Sequence, residues 1–410
     1  MSDFKTEDLI YDWNVSGGRP SHELKLNDET LRDGLQSPSI ADPAIEDKLK
    51  ILHLMEDLGV YSADIGLPGA GPHAFDDALA LAAEIAESGM KLYPYCAART
   101  ITNDIVPIVE ISQKTGLRIQ AALFMFSSPI RQLTENWDED KMLKISEDAI
   151  DFAHKHDVPV MYVTEDTTRS RPDTLRRLYR MAIDRGVERI CVSDTVGHST
   201  PSGVDRIVKF FKGLVDEAGA DVGIDWHGHK DRGLSIDNAI TAYFAGADRI
   251  HGCALGIGER VGNTPIDLLM VNFKLMGVYD RDLTRLPEYC QLVSRACNVP
   301  IPDNYPVFGA DAFRTATGVH ADAIIKAYKK GDHWLANRVY SGVPADEFGM
   351  EQIIEIGPLS GKSNVRYWLE QHGVSVDEEL VDEIFKEAKR VKTVLTDAQI
   401  NDLIGRFKSV

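Results

Sequence analysis

The sequence lacks several features that mark large classes of protein. Its five cysteines are scattered without a CxxC pair, which indicates reduced, buried thiols rather than a disulfide framework. Basic residues number 45 against 64 acidic ones, so the net charge is −19, and such a surface argues against nucleic acid and anionic membranes as partners. No apolar run approaches the ~20 residues of a membrane helix, and the opening MSDFKTEDLIYDWN has no apolar signal core. We therefore expect a soluble, cytoplasmic protein.

The chain also lacks the glycine-rich phosphate loop that usually follows the first strand of an open doubly wound sheet. What it has, from residue 24 to about 279, is a regular alternation of short apolar runs and longer amphipathic runs. Eight such units in this length predict a closed (β/α)₈ TIM barrel, with the open doubly wound sheet as the alternative. The predicted strands are LKLND, YSADIGLP, KLYPYCAA, LRIQAALFMF, PVMYVTED, RICVSDT, VGIDWHGH and DRIHGCALGIG.

The alternation stops near residue 280, and we divide the chain accordingly. Residues 1–23 form an N-terminal segment, residues 24–279 the catalytic barrel, and residues 280–410 small helical C-terminal subdomains. In the last part, ADAFRTATGVHADAIIKAYKKG is predicted as a glycine-interrupted helix, and the charged remainder is predicted to be helical.

Two histidines stand at the end of the seventh predicted strand, in DWHGHKD. His227 and His229 are two residues apart, and residues i and i+2 of a strand point to the same face. Both imidazoles therefore project from the carboxyl end of the strand, where barrel enzymes place their active sites. Such a pair is typical of a site for Mg²⁺, Mn²⁺ or Zn²⁺. Two hydrogen-bonded histidines at a strand end are the alternative.

A carboxylate is expected beside them, because only strand eight separates strand one from strand seven in a closed barrel. Asp33 follows KLNDETLR at the top of strand one. One carboxylate with two imidazoles leaves positions open for substrate and water. In the loop GIGERVGN, Asn263 could add an amide oxygen, while Gly256, Gly258 and Gly262 let the backbone approach a ligand closely. A flexible turn is the alternative for this loop alone.

Four further side chains at predicted strand ends could act on a substrate. Arg32 is either a surface arginine or a cation directed at a developing oxyanion. In TEDTTRS, Glu165 is a candidate acid or base and Arg169 a candidate carboxylate clamp, with helix capping as the alternative for both. Thr195, in SDTVGHSTP, could hydrogen-bond a bound carboxylate or simply belong to an Asp/Thr turn.

His320, in TGVHADAII, lies outside the predicted barrel. A single histidine on an apolar helix is usually a core residue whose hydrogen bonds are satisfied. It would reach a barrel mouth only if an oligomer brought this helix over a neighbour's site.

These motifs occur together in one known family. The chain resembles the metal-dependent acyl-CoA condensing enzymes, which include 2-isopropylmalate, homocitrate and citramalate synthases and share the barrel of 3-hydroxy-3-methylglutaryl-CoA lyase. The matching segments span residues 27 to about 365 and fall in order on the predicted strand ends. They are DETLRDG, TEDTTRS, SDTVG, HGHKDRGLSIDNAITAYFAGADRIHG, GIGERVGN and TGVHADAIIKA.

The resemblance implies a Claisen-type condensation of acetyl-CoA with a 2-oxo acid, in a homodimer with exchanged C-terminal subdomains. The implied ligands of a divalent metal are Asp33, His227, His229 and Asn263. The implied catalytic residues are Arg32, Glu165 and His320 of the partner subunit. The implied substrate contacts are Arg32, Gln36, Arg131, Arg169 and Thr195, and the implied acyl-CoA contacts are Gly256, Gly258 and Glu259.

Two departures from the family pattern bear on the reaction. Leu35 stands where many synthases carry a polar residue, as it does in the lyase branch, yet lyases carry a cysteine loop in place of GIGERVGN and lack TGVHADAII. Arg131 stands where isopropylmalate synthases usually place a histidine, and an arginine there favours a second carboxylate on the 2-oxo acid. Because the sequence stops near residue 410, we expect no leucine-binding regulatory domain.

We accordingly predict a 2-isopropylmalate synthase-like acyltransferase of amino-acid, leucine-type biosynthesis. A homocitrate, citramalate or citrate-type synthase is the nearest alternative, and a carbon–carbon lyase like HMG-CoA lyase is the next. A metal-free barrel with a scaffolding role and a metal-dependent hydrolase complete the set, although hydrolase barrels usually carry their HxH at strand one.

Overall fold

Eight parallel strands close into a barrel in which each strand pairs with its neighbours in chain order and β1 pairs with β8. The computed structural model describes residues 9–14 and 20–409. The predicted (β/α)₈ barrel is confirmed, and the doubly wound alternative is wrong. The strands are β1 (Lys25–Asp28), β2 (Ser62–Asp64), β3 (Tyr93–Arg99), β4 (Gln120–Phe126), β5 (Val160–Glu165), β6 (Arg189–Asp194), β7 (Gly223–Gly228) and β8 (Arg249–Gly252).

The barrel helices follow the predicted amphipathic runs. Their starts carry the expected signals: the Asp138 carboxylate accepts from Lys141 N (2.8 Å) at the start of α5, and α2, α6 and α7 begin at proline. The helices are α1 (Ile45–Asp57), α2 (Pro72–Ser88), α3 (Thr102–Thr115), α4 (Pro129–Glu135), α5 (Glu139–Lys155), α6 (Pro172–Asp184), α7 (Pro201–Ala218), α8 (Ser235–Ala245) and α9 (Ile266–Leu275).

The two-residue period of the strands decides which side chains reach the barrel interior. In β4, Ala121 and Leu123 are fully buried in the main hydrophobic core. The intervening Ala122 and Phe124 instead face a cavity inside the barrel. Successive side chains of a strand point to opposite faces, so the core lies between strands and helices while the interior is left for a site.

The amino ends of the strands enclose a network of buried charges, where such barrels usually hold branched apolar layers. Arg249 Nε donates to Asp225 Oδ2 (2.5 Å), and Arg189 Nε donates to Asp225 Oδ1 (2.5 Å). Arg249 Nη2 also donates to Gln120 Oε1 (3.2 Å), and Arg189 Nη2 donates to Asp248 Oδ1 (2.8 Å). Burial raises the pKa of Asp225, but the two arginines outweigh it and hold that pKa below its ordinary value. The carboxylate is therefore charged and paired.

The chain beyond the barrel forms additional helices and one small sheet. The buried side chains of α10 (Leu286–Ala296), which packs on α1, belong to the main core. The division at residue 280 therefore stays a prediction, and residues 1–8, 15–19 and 410 of the predicted segments lie outside the described residues. The remaining helices are α11 (Gly318–Lys329), α12 (His333–Ala336), α13 (Lys362–Gln371), α14 (Glu378–Ala388) and α15 (Asp397–Lys408).

The glycine-interrupted helix predicted in this region is wrong at its start. Residues Arg314–Thr315 form strand β9, which pairs in parallel with β10 (Ile353–Ile354). Helix α11 begins only at Gly318. Two threonines precede it, and β-branched residues favour extended backbone over helix.

All five cysteines are free and buried, as the sequence predicted. Among the described residues, no helix combines the length and the apolar character that crossing a membrane requires.

Candidate active site

The first wall of the site is the turn after β1. The chain leaves β1 at Asp28 and forms a 3₁₀ turn at Asp33–Leu35, with Gly34 N donating to Glu29 O (2.9 Å). A Cβ on Gly34 would lie 3.1 Å from Ile257 Cγ1. The turn therefore packs closely on the loop that follows β8.

The structure brings together three of the four side chains predicted as metal ligands. Asp33 Oδ2 lies 3.6 Å from His227 Nε2 and 3.8 Å from His229 Nε2. One potential ligand atom of each residue lies within 4.8 Å of the others. Two imidazoles and a carboxylate so arranged form a donor set for one divalent cation.

Asn263 adds an oxygen that fits such a cation. Its Nδ2 donates to Ile257 O (3.1 Å), while its buried Oδ1 has no hydrogen-bond partner among the described residues. The backbones of Asn263 and His229 form an isolated antiparallel β-bridge. A Cβ on Gly258, whose φ is +133°, would lie 3.2 Å from Asp33 O and would overlap the Asn263 amide. The unpaired oxygen therefore belongs to the same cluster, and the residues present fit a divalent metal.

Sequence reasoning missed Glu29, although it lies within the quoted DETLRDG motif. Its buried carboxylate accepts from His227 Nδ1 (2.7 Å), His251 Nδ1 (2.9 Å) and Tyr95 Oη (2.8 Å). The bond to Nδ1 leaves His227 Nε2 directed at Asp33, which is how carboxylates commonly orient metal-binding histidines. The two-residue period could have shown that Glu29 points to the same face as Asn27. Its partner His251 follows from the register of β1 with β8, which only the structure shows.

The charged groups of this cluster shift one another's pKa values. Burial raises the pKa of Glu29, but His227 and His251 outweigh it and hold that pKa well below its ordinary value. Burial lowers the pKa of His227, but Glu29 outweighs it and raises that pKa to about 9. Burial, followed by the positive charge of His227, lowers the pKa of His229 to about 4. His229 therefore presents the neutral imidazole that a metal requires.

His251 was also missed, and it connects Glu29 to the charge network at the amino ends of the strands. Its Nε2 lies 2.7 Å from Asp225 Oδ2, and Asp225 in turn accepts from Arg189 and Arg249. The hydrogen-bonded series thus runs from the barrel floor to a predicted metal ligand. A fully bonded buried series of this kind fixes the position of each member.

Arg32 is surrounded by three carboxylates. Its Nε donates to Asp64 Oδ2 (2.6 Å), its Nη1 lies 3.4 Å from Asp33 Oδ1, and its Nη2 lies 3.8 Å from Glu29 Oε1. Burial lowers the pKa of Arg32, but the carboxylates outweigh it and raise that pKa above its ordinary value. Gln36 Oε1 accepts from Arg32 Nη1 (3.5 Å). Of the two alternatives for Arg32, the structure thus favours a fixed interior cation.

A cavity of about 310 Å³ opens among these side chains. Eight of the side chains predicted to act in a site line it: Arg32, Asp33, Gln36, Glu165, Thr195, His227, His229 and Glu259. The rest of the lining comprises Glu29, Leu67, Tyr95, Ala97, Ala122, Phe124, Met161, Val163, Cys191, Ser193, His251 and Arg260. The cavity therefore joins the metal-type cluster to an acid or base on β5.

Glu165 lies at the end of β5, and Arg131 of α4 is its partner. Arg131 Nη1 donates to Glu165 Oε2 (3.1 Å), and the guanidinium also lies 5.3 Å from the centre of the Phe126 ring. Burial raises the pKa of Glu165 above its ordinary value, and Arg131 partly offsets that increase. Glu165 is therefore a stronger base than an exposed glutamate.

The other two residues at strand ends differ in position. Thr195 lines the cavity while its Oγ1 accepts from Asp166 N (2.7 Å). Arg169 is not among the described residues that line the cavity, and it donates to both carboxylate oxygens of Asp166 (2.6 and 2.8 Å). In this arrangement Arg169 stabilises the turn after β5.

The glycine loop after β8 reaches the cavity through Glu259. Gly256, with φ +60°, would place a Cβ 2.8 Å from Asn263 O. The lack of side chains at Gly256 and Gly258 therefore lets the loop fold tightly on itself. Contact of these glycines with an acyl-CoA stays a prediction.

His320 lies outside this cavity within the single chain. It is exposed on α11 and stacks on Tyr340, with ring centres 4.1 Å apart. It is thus not the buried core histidine that is usual on an apolar helix. A role in catalysis would require a second subunit.

Comparison with known proteins places this site in a family. The HMGL-like family matches residues 23–293. A homocitrate synthase of Methanopyrus kandleri is 29% identical over 387 residues, which cover 93% of this chain and 92% of the relative. A 2-isopropylmalate synthase of Lactococcus lactis subsp. cremoris is 29% identical over 393 residues, which cover 93% of this chain and 73% of the relative.

Solved structures confirm the fold. The HMG-CoA lyase of Bacillus subtilis superimposes with a TM-score of 0.57 and 19% identity, over 70% of this chain and 97% of the lyase. The carboxyl transferase domain of Rhizobium etli pyruvate carboxylase superimposes with a TM-score of 0.52 and 16% identity, over 67% of this chain and 47% of that chain.

Proposed function

Because the chain belongs to the HMGL-like family, we propose that it condenses an acyl-CoA, in particular acetyl-CoA, with a 2-oxo acid. The products are a 2-hydroxy dicarboxylate or tricarboxylate and free CoA. The observation that carries this proposal is the cluster of Asp33, His227 and His229 in one cavity with Arg32 and Glu165. Relatives named for homocitrate and 2-isopropylmalate synthesis support the reaction type.

The polar side of the cavity binds the 2-oxo acid. Asp33, His227, His229 and Asn263 would hold a divalent metal, Mg²⁺, Mn²⁺ or Zn²⁺, which when bound would supply Lewis acidity to the 2-oxo acid. Arg32 stabilises the ketone oxygen as it becomes an alkoxide, because its charge is fixed and it lines the same cavity. Thr195 and Gln36 bind the substrate carboxylate.

Glu165 removes a proton from the acetyl methyl group. The resulting carbanion forms the new carbon–carbon bond to the ketone carbon, and the alkoxide takes a proton. Water then cleaves the carbon–sulfur bond and releases CoA as a thiol. The raised pKa of Glu165 suits this step, since a thioester α-proton is weakly acidic. His320 of the partner subunit assists the proton transfer.

The finer assignment is a cytoplasmic acyltransferase like 2-isopropylmalate synthase, acting in leucine-type amino-acid biosynthesis. The active form is a homodimer with exchanged C-terminal subdomains, which would place His320 over a neighbour's cavity. In this assignment Gly256, Gly258 and Glu259 contact the acyl-CoA. Substrate contacts by Arg131 and Arg169 stay predictions, because these guanidiniums donate to Glu165 and Asp166.

The direct test is release of free thiol when the purified chain, acetyl-CoA and Mg²⁺, Mn²⁺ or Zn²⁺ are mixed with each of several 2-oxo acids. Thiol release that requires both the metal and a 2-oxo acid supports the proposal. If acetyl-CoA is stable with every acid in the presence of each of the three metals, the proposal fails.

A carbon–carbon lyase is the second candidate, because the turn reads RDGLQ with the half-buried Leu35 in place of a polar residue. In that case, the chain would cleave a 3-hydroxyacyl-CoA and release acetyl-CoA. Incubation with 3-hydroxy-3-methylglutaryl-CoA distinguishes the two, since only the lyase yields acetyl-CoA from it.

A further inference from the structure

A further cavity lies in the helical region after the barrel, and we infer that it binds a small organic compound with a primary ammonium group. This C-terminal cavity measures about 630 Å³, and all the residues that line it fall between Tyr328 and His372. They lie outside the barrel strands and helices. The inference therefore goes beyond the proposed reaction and does not depend on it.

The elements of the C-terminal region converge around this cavity. Tyr328 comes from the end of α11, and Tyr367 and Trp368 come from α13. Asn337 follows α12 directly, and Asp346 lies in the 3₁₀ turn Ala345–Phe348. The two tyrosines also pack on the small hydrophobic cluster between α11 and β10. The aromatic part of the lining is therefore held by a core of its own.

Aromatic rings form one part of the lining. The rings of Tyr328 and Tyr367 are nearly parallel, with an angle of 13° between their planes and 6.2 Å between their centres. Trp368 stacks on His372, with ring centres 3.7 Å apart. The face of an aromatic ring attracts a cation, and binding sites for organic ammonium ions commonly use this attraction. The rings thus favour a ligand that is positively charged and partly apolar.

Two carboxylates without cationic partners form another part. Asp346 and Glu351 both line the C-terminal cavity, and no lysine or arginine is among its described lining residues. The neighbouring Glu347 is paired with Arg338, whereas neither Asp346 nor Glu351 forms an ion pair within the described part of the chain. Burial, followed by the charges of Glu351 and Asp346, raises the pKa of Tyr328. The carboxylates and this ring therefore act on the same space, and a cation there would complement both.

A buried amide oxygen without a hydrogen bond gives an independent indication of a ligand. Asn337 is only 5% exposed, and its Nδ2 donates to His333 O (3.0 Å). Its Oδ1 has no donor among the described residues. Buried acceptors in proteins are nearly always paired, and an unpaired one is unfavourable. An N–H of a primary ammonium group would supply the missing donor.

A second buried amide group suggests what else the ligand carries. Gln352 also lines the C-terminal cavity, and its Nε2 has no acceptor among the described residues. A hydroxyl or carbonyl oxygen on the ligand would accept from it. A carboxylate is a poorer choice, because Asp346 and Glu351 line the same cavity and like charges repel.

The C-terminal cavity does not have the donor arrangement of a metal site. Three groups of metal-type side chains converge among the described residues, and none of them includes a residue of this cavity. A hard cation requires several oxygen ligands around one point, whereas an organic ion uses ring faces and hydrogen bonds spread over its surface. A volume of about 630 Å³ is also typical of a site for a small organic molecule.

The experiment compares two probes of nearly equal shape and different charge, 4-aminobutan-1-ol and butane-1,4-diol. Titration calorimetry uses the full chain at pH 8, where imidazoles are ordinarily neutral. We expect saturable binding of the amine with a Kd roughly tenfold or more below that of the diol, because only the amine is a cation. No saturable binding of the amine, or equal affinity for the diol, would overturn the inference.

Two further probes test the chemical class. Tetramethylammonium has the charge but no N–H for Asn337 Oδ1, so we expect it to bind roughly fivefold or more weakly than the amine. Equal or tighter binding of tetramethylammonium would overturn the primary ammonium assignment. Mg²⁺ should leave the affinity for the amine unchanged apart from the effect of ionic strength. If Mg²⁺ displaces the amine more strongly than NaCl of equal ionic strength, the site is one for inorganic cations and the inference fails.

Substitutions locate the bound amine. Glu351→Gln removes the charge of an exposed side chain, and we expect the Kd of the amine to rise roughly fivefold to tenfold. Glu383→Gln, an equal change at an exposed position of α14, should leave it unaltered. Tyr328→Leu should weaken binding roughly tenfold, while Tyr328→Phe keeps the ring face and the affinity. Unchanged affinity in Glu351→Gln and in folded Tyr328→Leu would overturn the inference.

A last measurement separates this site from the barrel cavity. The titrations need neither acetyl-CoA nor a 2-oxo acid, so their outcome does not depend on the proposed condensation. His227→Ala changes the barrel cavity alone and should bind 4-aminobutan-1-ol as tightly as the unchanged protein. Loss of amine binding in folded His227→Ala would place the amine in the barrel cavity and overturn the inference.

Discussion

The two sides of the cavity are built in different ways. On the β1, β7 and β8 side, Glu29, His227 and His251 are held by mutual hydrogen bonds that continue through Asp225 to the barrel floor. On the β3, β4 and β5 side, apolar side chains such as Ala122 and Val163 pack together in a small buried cluster, the apolar wall.

The difference predicts how each side responds to substitution. In a bonded network, the loss of one member leaves its partners buried and unpaired, so the effect spreads to the others. In the apolar wall, a substitution of an apolar side chain breaks no hydrogen bond, so its cost is set by the change of packed volume. The polar side should therefore be the more sensitive of the two to a single substitution.

The largest effect is expected from the removal of a predicted metal ligand. His227→Ala deletes one of the two imidazoles near Asp33, and we expect metal retention and turnover to be lost together. Because Lewis acidity contributes several kcal/mol to such a reaction, kcat should fall roughly 1,000-fold or more. Metal content by elemental analysis and thiol release measure the two effects on the same sample.

His53→Ala is a control for this variant, since His53 is a half-exposed imidazole on α1 that bonds Glu84. It should keep metal and activity, and both variants should retain the circular dichroism of the folded barrel. Normal turnover in folded His227→Ala would refute the metal assignment.

The next effect comes from a residue that orients the ligand without binding the metal. Glu29→Gln keeps the shape of the side chain, but its single oxygen cannot serve both His227 and His251 as the carboxylate does. We expect metal affinity to fall by roughly 10–100-fold, as for other outer partners of metal-binding histidines. Saturating metal should restore much of the turnover, which it would not do for His227→Ala.

Titration of the apo protein with Mn²⁺ measures the affinity, and Glu23→Gln, an exposed change just before β1, is the matched control. If Glu29→Gln binds Mn²⁺ as tightly as the unchanged protein, Glu29 has no orienting role.

The sequence could predict the elements of the polar side whose spacing is local. His227 and His229 are separated by one strand period, and Asp33 follows β1 directly, so the barrel topology alone brings them together. The eight strands were recognised for the same reason, because strand and helix periods are visible within short windows.

What the sequence could not supply is the pairing of buried charges across strands. The partner of Arg131 is Glu165, and the partners of Asp225 are Arg189, Arg249 and His251. Such pairs depend on strand register and side-chain direction rather than on spacing along the chain. Arg131 was therefore interpreted from its family position as a substrate contact, although the structure pairs it with the candidate base.

A smaller effect is expected from the pair of Arg131 and Glu165, where the two sides of the cavity meet. Burial raises the pKa of Glu165 above its ordinary value, and Arg131 partly offsets that increase. Arg131→Gln removes the opposing charge, so the pKa of Glu165 should rise further and the base form should be lost at a higher pH. The acidic limb of the kcat/KM profile should therefore move to higher pH, with little change of kcat at alkaline pH.

Arg131→Lys keeps a positive charge beside Glu165 and should leave the profile close to that of the unchanged protein. An unshifted acidic limb in Arg131→Gln, together with a large increase of KM for dicarboxylic 2-oxo acids alone, would instead make Arg131 a substrate contact.

The smallest effect concerns the outer face of the metal-bearing strand. Trp226 lies between the two strand residues Asp225 and His227, faces the main core and is fully buried, and its Nε1 has no hydrogen-bond partner among the described residues. Trp226→Phe loses contact area but also removes a buried unpaired donor, so the free energy of unfolding should change by only about 1 kcal/mol. Trp226→Ala should lower it by about 3–5 kcal/mol. Urea unfolding measures both, and a loss of Mn²⁺ affinity in Trp226→Phe would mean that the core behind β7, and not the Glu29 network alone, positions His227.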